Sequence, residues 1–166
     1  MTTTTPATFN YASIGSVSTG TMRDVDLIDA FGNELESQLL ANSDYYSDPS
    51  NFNARDRLND LRGESIDAWN TLDAGDELDE YCDLIERLFD ALDEFSPDYV
   101  TFGSHPGNGS DYGYWPELDA LEYDVRGGEL ATSQVENGTW VDVNDHGNVT
   151  LYVATDGENR ELWSCV

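Results

Sequence analysis

Apolar positions recur at helical spacing in three successive stretches of the N-terminal half. Leu27, Ile28, Phe31, Leu35 and Leu39 form the first and predict a helix over 24–41, with Thr21 as its cap and Asp24 closing a variant capping box. Leu58, Leu61, Ile66, Trp69 and Leu72 predict a second helix over 54–72, after a loop of turn-forming residues around Pro49 over 42–53. This helix also carries Arg55, Arg57 and Arg62, expected to pair with carboxylates on the same or neighbouring helices. Leu78, Cys82, Ile85, Phe89 and Leu92 step by 4, 3, 4 and 3 and give the strongest stripe, predicting a third helix over 75–95 that Pro97 ends.

From Tyr99 the period shortens to two, and glycine, aromatic and β-branched residues become frequent. The pattern predicts a strand over 99–102, a glycine-rich loop over 103–113, and an antiparallel meander with strands near 139–144, 148–155 and 160–165. The hairpin-type sequences Asn144-Asp145-His146-Gly147 and Asp156-Gly157-Glu158-Asn159 join the meander strands. Val149, Leu151 and Val153 fall on one face of the middle strand, Thr150 and Tyr152 on the other. Helices first and strands afterwards argue for an α+β fold, with the N-terminal helices packed against a C-terminal antiparallel sheet. Residues 1–20, rich in Thr, Ser and Gly, read as a flexible arm with a short strand around 9–14. Residues 21–166 read as one domain, helical to 96 and sheet from 97.

Charge changes this picture most. The 166 residues hold 34 Asp and Glu against 7 cations, all arginine, for a formal net charge of −27. Such a chain will not hold nucleic acid, whose affinity comes from cations that neutralise phosphate, and an anionic membrane repels it. Its natural partners are basic. With 39% hydrophobic and 11% aromatic residues it is too rich for a disordered acidic tail, so a packed core has to overcome self-repulsion and stability is expected to rise with salt. Cys82 and Cys165 are too few for a disulfide framework and read as packed thiols in a reducing cytosol. The first ten residues lack the basic and apolar regions of a signal peptide, and no apolar run approaches the roughly 20 residues of a membrane helix, so the expected location is cytoplasmic.

The third helix is where the acids concentrate. Asp76, Glu77, Asp79, Glu80, Asp83, Glu86, Asp90, Asp93 and Glu94 share it with one cation, Arg87. Over the ~28 Å such a helix spans, that is about one net charge per 3.5 Å, against one phosphate per roughly 3.4 Å along a DNA strand. Asp79, Asp83, Glu86, Asp90 and Asp93 step by 4, 3, 4 and 3 and form a ridge opposite the apolar stripe. An acidic face is ordinarily just a solvated face, but like charges at i,i+4 are mildly destabilising, so their density asks for a reason. Two reasons compete: mimicry of nucleic acid, and adaptation to high salt. A weak divalent-cation module is a third reading. In size and charge the chain resembles the DNA-mimic proteins of phages and mobile elements, namely antirestriction proteins, some anti-CRISPR proteins and inhibitors of uracil-DNA glycosylase. That resemblance implies a non-enzymatic inhibitor that occupies the groove of a basic nucleic-acid-binding protein. The stretch from Phe102 to Trp115, with Asp145 to Tyr152 and Leu162 to Val166, also looks like segments of small uncharacterised bacterial and phage proteins, which implies no activity.

On this reading the partner-binding residues are Asp76, Asp79, Glu80, Asp83, Glu86, Asp90, Asp93 and Glu94, extended by Asp24, Asp26, Asp29 and Glu36 and anchored by the aromatics Tyr112, Tyr114 and Trp115. Self-association into a homodimer stays open. Gly107-Asn108-Gly109-Ser110-Asp111 has the look of a calcium repeat, but that motif works in tandem arrays and occurs once here. His146 is expected to be exposed in its turn, and His105 is within reach of pairing with Asp111. Neither has a nucleophile nearby, no hydrolase or zinc motif occurs, and no metal, cofactor or catalytic residue is assigned.

Overall fold

The computed structural model describes residues 8–71 and 81–166 and has an α+β fold. Helix α1 (Asp24–Ala41) has the predicted bounds and buries Leu27, Ile28, Phe31 and Leu35. Thr21 is not its cap. Arg23 takes that position, while the Thr21 hydroxyl donates to Asp26 Oδ2 at 2.6 Å and accepts the Arg23 N–H at 3.1 Å. Helix α2 (Phe52–Thr71) presents Leu58, Leu61, Ser65 and Ala68 to the core, whereas the expected Ile66 and Trp69 are 42% and 45% exposed. Small residues explain the choice of face. Gly32 of α1 lies so close to α2 that a Cβ there would come within 2.5 Å of Ser65 Oγ, a separation that isoleucine or tryptophan would not allow.

Helix α3 (Cys82–Asp93) covers the C-terminal part of the predicted third helix; residues 75–80 of that prediction, with Asp76, Asp79 and Glu80, lie outside the described residues, as does Leu72 of the predicted second helix. Its buried face is Leu84, Leu88, Ala91 and Leu92, and the expected stripe residues Ile85 and Phe89 form its flank. Cys82 is exposed rather than packed. The face is broad because α3 meets both α1 and the first sheet.

That sheet comprises β1 (Gly15–Thr19), β2 (Val100–His105) and β3 (Asn108–Pro116) in the order β1-β3-β2, antiparallel throughout. The expected loop over 103–113 is thus most of a hairpin. Its glycines serve the sheet: a Cβ on Gly113 would run into the Gly15 carbonyl where β1 crosses. The expected N-terminal arm is also corrected for residues 8–19. Phe9 stacks on Phe95 at 5.7 Å, the Ala12 N–H donates to the Phe95 carbonyl at 2.8 Å, and β1 lies later than the expected 9–14 strand. Between helices and sheet sits a cluster of rings: Phe31 lies 5.0–5.8 Å from Phe89, Phe102 and Tyr112.

The chain turns from α3 into the sheets at Pro97-Asp98-Tyr99, where Tyr99 holds a left-handed φ of 58°. Its strain is contained by two bonds, Tyr99 OH donating to Asp124 at 2.7 Å and the Glu117 N–H donating to the Tyr99 carbonyl at 2.8 Å. An unpredicted helix α4 (Leu118–Gly127) follows and closes on the left-handed Gly128. The meander then forms a second sheet, β4 (Gly138–Val143), β5 (Val149–Thr155) and β6 (Glu158–Cys165), in sequential order as predicted. Val141, Leu151 and Trp163 oppose one another across it and are buried, and Trp163 Nε1 donates to the Asp98 carbonyl at 2.8 Å. No helix among the described residues is long and apolar enough to cross a membrane.

Candidate functional site

Helices α2 and α3 run antiparallel, joined by two pairs of charges. Arg57 Nη2 donates to both oxygens of Glu94 at 2.8 and 2.7 Å, and Arg87 donates to both oxygens of Glu64. Arg87 Nε also lies 3.1 Å from Asp83. Its hydrogen bonds hold the Glu64 carboxyl below the usual range, and Glu64 in turn raises the Arg87 guanidinium. Between the helices lies an open cleft of about 580 Å³, lined by Arg57, Asp60, Leu61, Glu64, Arg87 and Asp90.

Two rows of exposed carboxylates flank this seam. On α3 they are Asp83, Glu86 and Asp90, three residues of the predicted ridge, and at ~1.5 Å per residue they span roughly 10 Å. On α2 they are Asp56, Asp60, Glu64 and Asp67, a row that attention to α3 alone overlooked, although its spacing of 4, 4 and 3 is visible in the chain. Asp60, Asp67, Glu86 and Asp90 make no ion pair with any other described residue, so the net charge of this face is carried outward. Arg57 and Arg87 lie in the seam and clip one helix to the other, while Arg55 pairs with Asp56 on α2 itself at 2.9 Å.

Other expected site residues do not join this face. Asp93 is turned to the fold: its Oδ1 accepts the Phe102 N–H at 2.8 Å and the Ser96 hydroxyl at 3.1 Å, fastening the end of α3 to β2. Asp24, Asp26 and Asp29 are half-buried near the start of α1, Asp26 held by Thr21 and Asp29 by Asn33 at 3.0 Å. Glu36 pairs with Arg62 at 2.9 Å. Positions 62 and 64 lie ~200° apart around α2, so Glu36 belongs to the flank away from Glu64. Tyr114, 1% exposed and packed on Phe102, is a core residue rather than an anchor, and Tyr112 is half-buried with its ring against Phe31 and Phe89. Burial, with Glu34 nearby, pushes the Tyr114 hydroxyl well above the usual tyrosine range. Trp115, one residue on, faces the opposite side of the sheet and remains available.

His105 meets Trp115 edge-on at 4.6 Å and accepts the Gly107 N–H at 3.0 Å, with no bond to Asp111. His146 is exposed in its turn. Among the described residues no group of three or more His, Cys, Asp or Glu side chains converges to hold a metal. Comparison of the chain with protein-family models, with curated proteins and with solved structures finds no match in any of the three.

Proposed function

We propose that the protein is a stoichiometric inhibitor whose α2–α3 face occupies the nucleic-acid groove of a basic partner such as a restriction enzyme, a CRISPR effector or a DNA-repair enzyme. The observation that carries this reading is the pair of antiparallel carboxylate rows, with arginines held in the seam between them. Two lines of negative charge across a groove are what a duplex offers a protein that grips its backbone. Association would be steered by long-range attraction and weakened by salt. The test is competition: candidate enzymes are titrated with labelled DNA at low salt, with and without the protein, and anisotropy is read. Reversing Asp60, Asp67, Glu86 and Asp90 to arginine is expected to weaken inhibition at least tenfold more than reversing Asp142, Asp145, Glu158 and Glu161 on the meander. Equal losses would leave only a diffuse polyanion.

A second reading, adaptation of a binding or housekeeping domain to molar salt, is favoured by the exposed acids of α4 and the meander, among them Asp119, Glu122, Asp142 and Glu161. A salt titration of folding separates the two. A mimic stays folded near physiological salt, whereas a salt-adapted domain unfolds there.

A further inference from the structure

On the outer face of the first sheet lies a cleft of about 510 Å³ between β2, Pro106 at the hairpin tip, Trp115, and the first turn of α4. Its floor is built rather than accidental. The Trp115 indole is fixed by its Nε1–H, which donates to the Gly103 carbonyl at 3.0 Å, and by His105 packed edge-on against it. Gly103 leaves the space beside the ring open, since a Cβ there would meet nothing within 4 Å. Leu118, 45% exposed, adds an apolar wall, and the exposed carboxylates Glu117 and Asp119 stand at the rim with no cation among the lining residues.

We propose that this cleft is a seat for an arginine side chain of a partner protein. The aliphatic stem would lie on Leu118 and the guanidinium on the indole, where a cation over a tryptophan face is attracted by the ring quadrupole. The two carboxylates supply the countercharge. The start of α4 opposes a cation with about half a positive charge, which two carboxylates outweigh. An anionic or neutral occupant has no such match here. The seat lies on the first sheet and is built without any α2 or α3 side chain, so it stands or falls separately from the α2–α3 reading.

The probe is N-acetyl-arginine methylamide, titrated into the ¹⁵N-labelled protein in 150 mM salt, with the citrulline analogue as the neutral isostere. The expected result is a saturable shift of the Trp115 indole resonance and of amides 101–104 and 117–120 with arginine and none with citrulline. Gly103→Val fills the cleft with a residue suited to a strand and is expected to weaken binding at least tenfold. Glu117→Gln with Asp119→Asn, which keeps shape, is expected to weaken it about fivefold. Equal response to citrulline, shifts spread evenly over the acidic surface, or unchanged binding in the Gly103→Val protein would overturn the proposal. Charge reversal on α2 and α3 is expected to leave this titration intact while abolishing competition with DNA, so the two readings fail separately.

Discussion

The helical layer with the first sheet and the C-terminal meander are held together in different ways. The first region has a deep core, with Ile28, Phe31, Leu35, Leu58, Leu88, Leu92 and Phe95 wholly buried. The meander buries little more than one row, Val141, Leu151 and Trp163, with the small Ala154 beside it, and is clasped to the rest through Asp98, whose carbonyl takes Trp163 and whose side chain lies 3.4 Å from Thr139. The densest acids sit over the deeper core. Repulsion along α2 and α3 acts on helices that cannot leave without exposing those side chains, so crowded carboxylates are tolerated where burial is greatest.

The sharpest way to break this contrast is to remove its centre. Phe31→Ala is expected to cost about 3–5 kcal/mol and to unfold helices and first sheet together in a denaturant titration. A loss confined to α1 would show that the ring cluster is not shared. Trp163→Phe keeps the ring volume roughly but leaves the Asp98 carbonyl without its donor, an expected cost of about 1–3 kcal/mol. Hydrogen exchange should quicken in β4–β6 while α1–α3 stay protected; uniform acceleration would mean the two regions are one cooperative unit.

Three tyrosines test the contrast by pH. Burial, with the Asp124 hydrogen bond, pushes Tyr99 up to about 12; burial, with Glu94 nearby, pushes Tyr46 up to about 12; and Tyr114 is raised further. Unfolded tyrosine ionises near 10, so the unfolded chain loses these protons first. Their contribution is therefore full below about pH 10 and is lost progressively as pH rises toward 12, most strongly for the buried Tyr114 and less for the more accessible Tyr99. Tyr114→Phe should flatten that decline, as followed by denaturant melts between about pH 9.5 and 11.5; an unchanged slope would sink this account. The smallest effect is expected from Arg87→Gln. The pair with Glu64 is exposed, so its loss should cost less than about 1 kcal/mol, and less still in high salt. A large, salt-independent loss would mean the seam between α2 and α3 is structural rather than electrostatic.

Parts of this architecture were legible in the chain and parts were not, for identifiable reasons. The first helix was readable because it has one buried face and a clean period, as Leu27, Phe31 and Leu35 show, and the meander because its hairpin turns at 144–147 and 156–159 bound three short runs of β-branched and aromatic residues, although of Val149, Leu151 and Val153 only Leu151 is buried. The buried face of α2 was not, because it runs through Ser65 and Ala68, small residues whose value lies in the close approach of Gly32. Strand β3 hid behind Gly109 and Gly113, whose lack of a side chain reads as loop until the crossing of β1 is seen. Helix α4 buries only Leu121 among its ten residues and so has almost no apolar signal. Of the candidate site, the ridge positions Asp83, Glu86 and Asp90 were legible, because periodicity places them away from the apolar face. The inward turn of Asp93 toward Phe102 was not, since it depends on where β2 begins. The burial of Tyr114 was not legible, because aromatic residues among glycines look exposed when the strand containing them goes unrecognised.

The clasp at Asp98 also bears on how the chain reaches this state. Within the meander, partners are joined through short turns and can find one another quickly. Trp163 and Asp98 are separated by 65 positions, and bringing them together must confine all the intervening chain. Such long-range closure favours a sequence of events in which the three strands zip locally and dock onto the Asp98 elbow afterwards. Refolding should then show strand formation ahead of the solvent shielding of Trp163.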